Sequence, residues 1–157
     1  MPVAAYAGPR ELMELVSPLG PMYQAGTLSG NPVGMACGVA TLNICRQPGF
    51  YESLRQRSWR IAEGWRAGAA DAGVAVQTGA CGGMLGLAFS ELPVRNEADA
   101  RACDHQLFAR FFHAMLERGV LLPPSGYEAM FISSAHDDAC IDKIVTAAAE
   151  SFRIIRR

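Results

Sequence analysis

Lysine is almost absent from this sequence. Its 157 residues contain 14 lysines and arginines together, yet Lys143 is the only lysine. The formal net charge is −1 at pH 7 and the only basic pair is Arg156 and Arg157, so the composition argues against a nucleic-acid-binding surface. Lys143 lies off the apolar stripe of the last predicted helix. We therefore expect a solvated surface side chain and assign it no catalytic role.

Paired cysteines and metal-binding clusters are also missing. The five cysteines are scattered, with no CxxC pair and no cysteine–histidine cluster at zinc spacing. We expect reduced, mostly buried thiols in a cytoplasmic protein and no bound metal. The amino terminus lacks the pattern of a secretory signal. The stretch between Glu14 and Arg46 carries no charge, but Pro18, Pro21 and Gly30 interrupt it, and its helical part is too short to cross a membrane.

Apolar patterning and turn residues divide the first part of the chain into four segments. Residues 2–7 indicate a buried strand, residues 9–16 a brief helix, and residues 17–30 a loop rich in proline, glycine, serine and threonine. Asn31-Pro32 is a strong helix start, because an N-cap side chain precedes a ring with φ already set. The helix over 33–45 is apolar or small on every side, which predicts burial all round.

The remainder of the chain alternates short strands with amphipathic helices. A helix over 51–72 has the apolar stripe Leu54, Ile61, Trp65 and Ala69, and we place a domain boundary in or near it. The part after residue 73 is expected to form an α+β module with its own core, and to be more soluble than the whole chain. Strands are predicted at 74–77, 84–89, 120–122 and 130–133, and helices at 99–118 and from a cap at Asp137 through Ile155. The last of these helices has an apolar stripe that consists of Ile141, Ile144, Val145, Ala148, Phe152 and Ile155.

The loop before the first long helix is the candidate binding site. A helix amino terminus has free N–H groups and a partial positive charge, which suit a phosphate. Gly26 and Gly30 let a ligand approach the backbone, and Thr27 and Ser29 offer hydroxyl donors. Loops of this composition also occur for turn geometry alone, so the pattern by itself leaves both interpretations open.

The string YQAGTLSGNP, followed by VGMACGVATL, resembles the corresponding loop and helix of the glutamate-1-semialdehyde aminomutase family. That family belongs to the class III aminotransferases, which are fold-type I enzymes dependent on pyridoxal phosphate (PLP). Leu28 and the segment 23–25 favour the aminomutases over ornithine- or GABA-type transaminases. Further segments resemble the family in order and spacing: MPVAAYAGPRELME, GGMLGLAFSELPVRNEADARACD, MLERGVLLPPSGYEAMF and SSAHDDACIDKIVTAAAESF.

The resemblance implies a partial α/β fold. Residues 1–50 would be the end of the large PLP-binding domain with its phosphate loop, 51–72 a connecting helix, and 73–157 a small carboxy-terminal α+β domain. The family's Schiff-base lysine would lie just upstream of Met1, so the chain is expected to be a truncated gene, a fragmentary gene model or an internal start. We therefore assign no catalytic residue and expect the chain to be inactive alone.

The resemblance also implies a cofactor site. Gly26 and Thr27 would bind the phosphate of PLP or its pyridoxamine form, and would do so across a homodimer. Tyr23 and Ser29 would lie nearby, and Glu128 would stand beside the substrate site. The complete protein would be a cytoplasmic enzyme that isomerises glutamate-1-semialdehyde to 5-aminolevulinate for tetrapyrrole (porphyrin and heme) synthesis. Its partners would be a second subunit and a small-molecule substrate, without nucleic acid or membrane.

Two alternatives remain open at this point. The chain could belong to another class III omega-transaminase, or it could be a non-catalytic remnant or dimerisation module. The histidines do not decide between them, since His105 and His113 are expected to be surface or packing residues. We expect His136 to be structural, at a corner between a strand and a helix.

Overall fold

The computed structural model describes residues 3–156, and within them the helices and strands are mixed along the chain. The contacts divide the chain into a first unit that ends at Pro48 and a second unit that begins at Gly49. Which domains of a longer enzyme the three predicted segments form stays a prediction. In chain order the elements are α1 (Arg10–Met13), α2 (Pro32–Cys45), α3 (Phe50–Ala72), β1 (Gln77–Cys81), β2 (Met84–Ala88), α4 (Glu97–Arg101), α5 (His105–Glu117), β3 (Met130–Phe131) and α6 (Asp138–Ile155).

The first unit contains the predicted long helix, α2, with the predicted cap. The Asn31 side chain accepts a hydrogen bond from the Gly34 backbone N–H at 2.8 Å, and Pro32 takes the first helical position. The predicted burial of α2 on all sides is wrong for this chain. Gly34 is its one buried residue, while Val39 and Leu42 are 59% and 61% exposed.

The reason is that the first unit provides no layer for α2 to pack against. The strand predicted over 2–7 does not form between Val3 and Ala7, and Pro2 lies outside the described residues. A strand requires a neighbour for its backbone hydrogen bonds. In the described part of this unit the only bridge of that kind is the isolated pair Val16 and Met22.

The second unit is organised around α3. The predicted stripe is confirmed, since Leu54, Ile61, Trp65 and Ala69 are all buried. The helix begins after Gly49 and ends at Gly73, both with positive φ, the conformation that glycine adopts without steric cost. Its closing hydrogen bond runs from the Val74 N–H to the Ala69 carbonyl, at 2.9 Å.

The end of α3 explains why the first predicted strand begins later than expected. Because the Val74 N–H is used by α3, the strand predicted over 74–77 begins only at Gln77, as β1. β1 pairs antiparallel with β2 through the two-residue turn Gly82–Gly83, and β2 pairs antiparallel with β3. The predicted strand over 120–122 does not form, although Val120 and Leu122 are buried.

The helix predicted over 99–118 is two helices. Asn96 caps α4 by accepting from the Asp99 N–H at 3.0 Å, and Asp104 caps α5 by accepting from the Leu107 N–H at 2.8 Å. The Asp104 N–H also donates to the Phe89 carbonyl at 3.0 Å, which fixes the break against the end of β2. A carboxylate that binds a free amide starts a new helix instead of continuing the old one.

The core lies between the sheet and the helices α3, α5 and α6. Phe111 stacks on Phe152 at 4.6 Å between ring centroids, and Phe89 meets Phe111 edge-on at 5.5 Å. α6 begins at the predicted cap, where Asp137 accepts from the Cys140 N–H at 2.9 Å; this bond lowers the pKa of the Asp137 carboxyl. The predicted stripe of α6 supplies Ile141, Ala148, Phe152 and Ile155 to this core.

Two hydroxyl groups fasten the β1–β2 hairpin to α3. The buried Ser58 Oγ donates to the Gly82 carbonyl at 2.5 Å, and Thr78 Oγ1 donates to the Ala62 carbonyl at 3.0 Å. Each carbonyl thereby receives a donor in a region with little water, where an unpaired polar group would be costly. The hairpin therefore presents one fixed face to α3 and leaves the other face free.

The structure also bears on two predictions about polar residues, those on the cysteines and on His136. Between residues 3 and 156 no helix is long and apolar enough to cross a membrane, and no cluster of His, Cys, Asp or Glu has a metal-site arrangement. The cysteines are free but not mostly buried, because Cys81 and Cys140 are exposed and the other three are half-buried. His136 is structural as expected, since its Nδ1 accepts from the Ser133 N–H at 3.1 Å.

The expectation that the part after residue 73 has a core of its own is wrong, because Ile61, Trp65 and Ala69 of α3 belong to that core. We therefore predict that a truncated chain beginning at Gly49 folds cooperatively, whereas one beginning at Gly73 does not. The shorter chain lacks Ile61 and Trp65, and a fully buried large apolar side chain contributes about 1.5–3 kcal/mol. Losing several such residues removes an amount comparable to the whole stability of a small domain, about 5–15 kcal/mol. Thermal unfolding followed by circular dichroism measures the difference. Equal melting temperatures for the two truncated chains would contradict this assignment of the core.

Candidate functional site

The loop that precedes α2 is held in shape by its own backbone. The Ser29 N–H donates to the Gly26 carbonyl at 3.0 Å, and the Asn31 N–H donates to the Leu28 carbonyl at 3.2 Å. The Asn31 side chain donates to the same Leu28 carbonyl at 2.7 Å. Gly30 adopts a left-handed φ of 71°, so a residue with a side chain would be strained there. Local hydrogen bonds therefore define the loop without help from a ligand.

Gly26 and Thr27 keep their donors available. Among the described residues no hydrogen bond involves Thr27, whose side chain is exposed, and the Gly26 N–H has no acceptor. A Cβ at position 26 would stand 2.7 Å from the Ser29 Oγ, so a side chain there would require this hydroxyl to move. Two backbone N–H groups and one hydroxyl are thus free to bind an anion at neighbouring positions. The donor chemistry of these residues suits a phosphate group.

The amino terminus of α2 has fewer free N–H donors for an anion than expected. Pro32 has no N–H, and the Gly34 N–H is already bound by the Asn31 side chain, which leaves the Val33 N–H as the free donor of the first turn. The donors for an anion therefore come mainly from the loop residues Gly26 and Thr27, assisted by the positive end of the helix.

A cleft of about 480 Å³ lies beside this loop within the first unit. Gly26 and Ser29 line it together with the segment from Val3 to Tyr6. Thr27 and Tyr23 do not line the cleft, and Tyr23 is 82% exposed. The structure thus brings Ser29 and Gly26 together and leaves Thr27 and Tyr23 on the outer side of the loop.

Glu128 belongs to the second unit and lies far along the chain from the loop. Its N–H donates to the Ser125 carbonyl at 3.2 Å, while its exposed carboxylate has no ion pair or hydrogen bond within the described residues. It borders a cleft of about 470 Å³ on the free face of the β1–β2 hairpin, which we call the hairpin cleft. Its predicted place beside a substrate stays a prediction.

The remaining candidates lie elsewhere. Lys143 is exposed on α6, as expected, with its Nζ 3.0 Å from the point where a Cβ on Gly119 would stand. His105 is a packing residue, because its ring stacks on Tyr127 at 4.3 Å and its Nε2 lies 3.0 Å from the Ala100 carbonyl oxygen. His113 is exposed on α5. Sequence reasoning missed the Tyr127–His105 stack, since residues 22 positions apart show no local pattern.

Comparison with known proteins supports the resemblance. The family model described as aminotransferase class III matches residues 1–148. The chain is 52% identical over 152 residues to the glutamate-1-semialdehyde 2,1-aminomutase of Desulfosudis oleivorans, covering 97% of this chain and 36% of that protein. It is 48% identical over 156 residues to the aminomutase of the same name from Roseiflexus castenholzii, covering 99% and 36%. The chain thus spans about a third of these relatives.

Solved structures show the same fold. An omega-transaminase from Sphaerobacter thermophilus has a TM-score of 0.79 at 22% identity, over 96% of this chain and 35% of that one. A β-phenylalanine aminotransferase from Variovorax paradoxus has a TM-score of 0.79 at 29% identity, over 91% and 33%. A transaminase with PLP bound has a TM-score of 0.78 at 22% identity, over 95% and 34%. At these identities the likeness shows the partial α/β fold.

We predict that this chain forms no specific covalent adduct with PLP. Its only lysine is exposed on α6 in the second unit, whereas the free phosphate donors belong to the first unit. Nothing within the described surroundings of Lys143 orients an aldehyde toward its amine. Borohydride reduction followed by peptide mass analysis should find no stoichiometric label, with Lys143→Arg as the control. A single, complete label on Lys143 would reject the prediction.

Proposed function

This chain belongs to the class III aminotransferase family, and we propose that it forms part of an enzyme that converts glutamate-1-semialdehyde to 5-aminolevulinate. The observation that carries the proposal is the 52% identity to an aminomutase across nearly the whole chain. In the proposed enzyme the chain supplies the phosphate loop and the small carboxy-terminal domain. We further propose that the enzyme is a cytoplasmic homodimer, an intramolecular aminotransferase of tetrapyrrole biosynthesis.

The cofactor of this family is PLP, which serves as an electron sink when an amino group is moved. In this chain Gly26 and Thr27 would hold its phosphate, because their N–H groups and the Thr27 hydroxyl have no other partner among the described residues. Ser29 would support the loop from inside its cleft, with its hydroxyl close to Gly26. The lysine that binds the cofactor would come from outside this chain.

The exposed side of the loop favours a phosphate from another subunit. Thr27 and Tyr23 do not line the cleft of their own unit, and both side chains are exposed. A donor in this position is accessible to a second molecule without any rearrangement of the loop. We therefore propose that Thr27 serves the active site of the partner subunit in a homodimer, with Tyr23 beside it. Glu128 would act at the substrate, where its free carboxylate attracts an ammonium group.

A chimeric enzyme tests the proposed reaction. The matching third of the Desulfosudis oleivorans aminomutase is replaced by this chain, and the product is assayed with glutamate-1-semialdehyde. We expect the chimera to bind PLP and to form 5-aminolevulinate without an added keto acid, because amino transfer within one molecule needs no external acceptor. The unaltered relative is the control. Activity only with an added keto acid would indicate an omega-transaminase, and loss of all activity in a folded chimera would indicate a non-catalytic module.

Within the chimera, Thr27→Val should weaken PLP binding by about tenfold or more. Valine keeps the shape but removes a hydroxyl donor, and a hydrogen bond to a charged group contributes about 1.5–3 kcal/mol. Thr27→Ser keeps the donor and should bind the cofactor nearly as well as the unsubstituted chimera. Cofactor titration followed by absorbance measures both. An unchanged dissociation constant for Thr27→Val, with the melting temperature preserved, would reject the phosphate role.

Mixed dimers test whether Thr27 acts across the interface. A Thr27→Val subunit is paired with a subunit that has an intact Thr27 but lacks the cofactor-binding lysine. If Thr27 serves the partner, the single live site receives its phosphate contact from the intact loop of the dead subunit and binds PLP normally. If Thr27 acts within its own subunit, the same live site is weakened. Titration of the mixed and unmixed dimers separates these outcomes.

A further inference from the structure

The free face of the β1–β2 hairpin carries an unusual pair of residues. Gly79 of β1 stands directly opposite Gly86 of β2 in the antiparallel register. The neighbouring inward-facing residues, Leu85 and Leu87, are buried in the core, so positions 79 and 86 face outward. The two glycines thus form the floor of the hairpin cleft, with no side chain above the backbone.

Folding does not account for this pair. Neither glycine has a positive φ, and a Cβ built on either one would meet nothing within 4 Å. Alanine would therefore fit both positions without strain or collision. A glycine inside a strand weakens the strand, because its backbone is more flexible in the unfolded chain and it offers no packing. The pair lowers stability with no gain in the packing of this chain, which points to a ligand that approaches the backbone here.

The walls of the hairpin cleft are held in place by contacts within the protein. On one side the Tyr127 ring stacks on His105 at 4.3 Å. Gly126 lets the segment that carries Tyr127 come close to α5, since a Cβ at position 126 would stand 3.2 Å from the His105 Nδ1. On the other side the Gln77 side chain donates to the Ser90 carbonyl at 3.2 Å. Glu128 borders the same cleft with a carboxylate that has no partner among the described residues.

We propose that Gly79 and Gly86 are specificity-determining residues, which keep the floor of the hairpin cleft open for an amino-acid substrate with a free ammonium group. The ligand lies flat against the sheet backbone above the pair, and its ammonium group faces the Glu128 carboxylate. This inference rests on the proposed function, because it places the hairpin cleft on the substrate side of the complete enzyme.

The test uses Gly79→Ala and Gly86→Ala in the same chimera. Each adds one methyl group to the cleft floor, and one methyl group in a substrate pocket changes discrimination by about tenfold or more. We expect the KM for glutamate-1-semialdehyde to rise by about that factor, while the melting temperature and PLP content stay equal or increase. Met84→Ala is the matched control, since Met84 lies on the same face outside the hairpin cleft and should leave KM unchanged. An unchanged KM in both glycine variants overturns the proposal. A lower melting temperature or a lower PLP content also overturns it, because either would mean that another segment of the enzyme occupies the hairpin cleft.

The activity of the unsubstituted chimera shows separately whether the proposed function itself is wrong. If that enzyme transfers amino groups only to an added keto acid, the same comparison is made with the KM of the amino donor. If it is inactive, the cleft is tested by ligand-observed NMR of 5-aminolevulinate with the full chain. Saturation transfer that disappears in Gly86→Val but persists in Met84→Ala supports the cleft as an amino-acid site. Equal transfer to all three proteins, or none to the unsubstituted chain, overturns it.

Discussion

The attachment of the β1–β2 hairpin to α3 is the constraint on which the second unit depends. The apolar stripe of α3 covers one face of the hairpin, and the buried Ser58 hydroxyl binds the carbonyl of its turn at Gly82. α6 packs on the same helix so closely that a Cβ at Gly68 would come within 3.1 Å of the Ala149 Cα. Because one face of the hairpin is used for this packing, the other face, with Gly79 and Gly86, is the one that a ligand can approach.

The first unit is held by a different kind of interaction. Its loop is defined by short-range hydrogen bonds around Leu28 and Asn31, whereas the apolar residues of α2 remain exposed. Local bonds of this type fix a turn but bury almost no apolar surface, and apolar burial is the main source of folding stability. The loop can therefore keep its shape in this chain even though α2 lacks the cover that its composition requires. An exposed apolar helix of this kind marks an interaction surface.

The sequence predicted correctly those features that depend on short-range physics. The Asn31 and Asp137 caps and the stripes of α3 and α6 follow from neighbouring residues, and the structure confirms each of them. Two of the errors arise from competition for backbone groups. β1 starts late because α3 uses the Val74 N–H, and the helix at 99–118 divides because Asp104 binds an amide of its own. The walls of the hairpin cleft were not predictable, since the contact of Tyr127 with His105 depends on the tertiary fold.

The comparisons also show why the fold alone does not identify the reaction. An omega-transaminase and a β-phenylalanine aminotransferase share this architecture with TM-scores of 0.79 each, at 22% and 29% identity, although they are named as different enzymes. The difference between such enzymes must therefore lie in a few positions that the fold leaves free to vary. Gly79 and Gly86 are positions of that kind, because each tolerates a Cβ without any change in the backbone. The role proposed for Thr27 is of the opposite kind, since a phosphate donor would serve every reaction of the same cofactor. The two proposals thus place cofactor anchoring in the first unit and substrate selection in the second. On that basis substitutions in the hairpin would alter the choice of substrate while the phosphate loop stays the same.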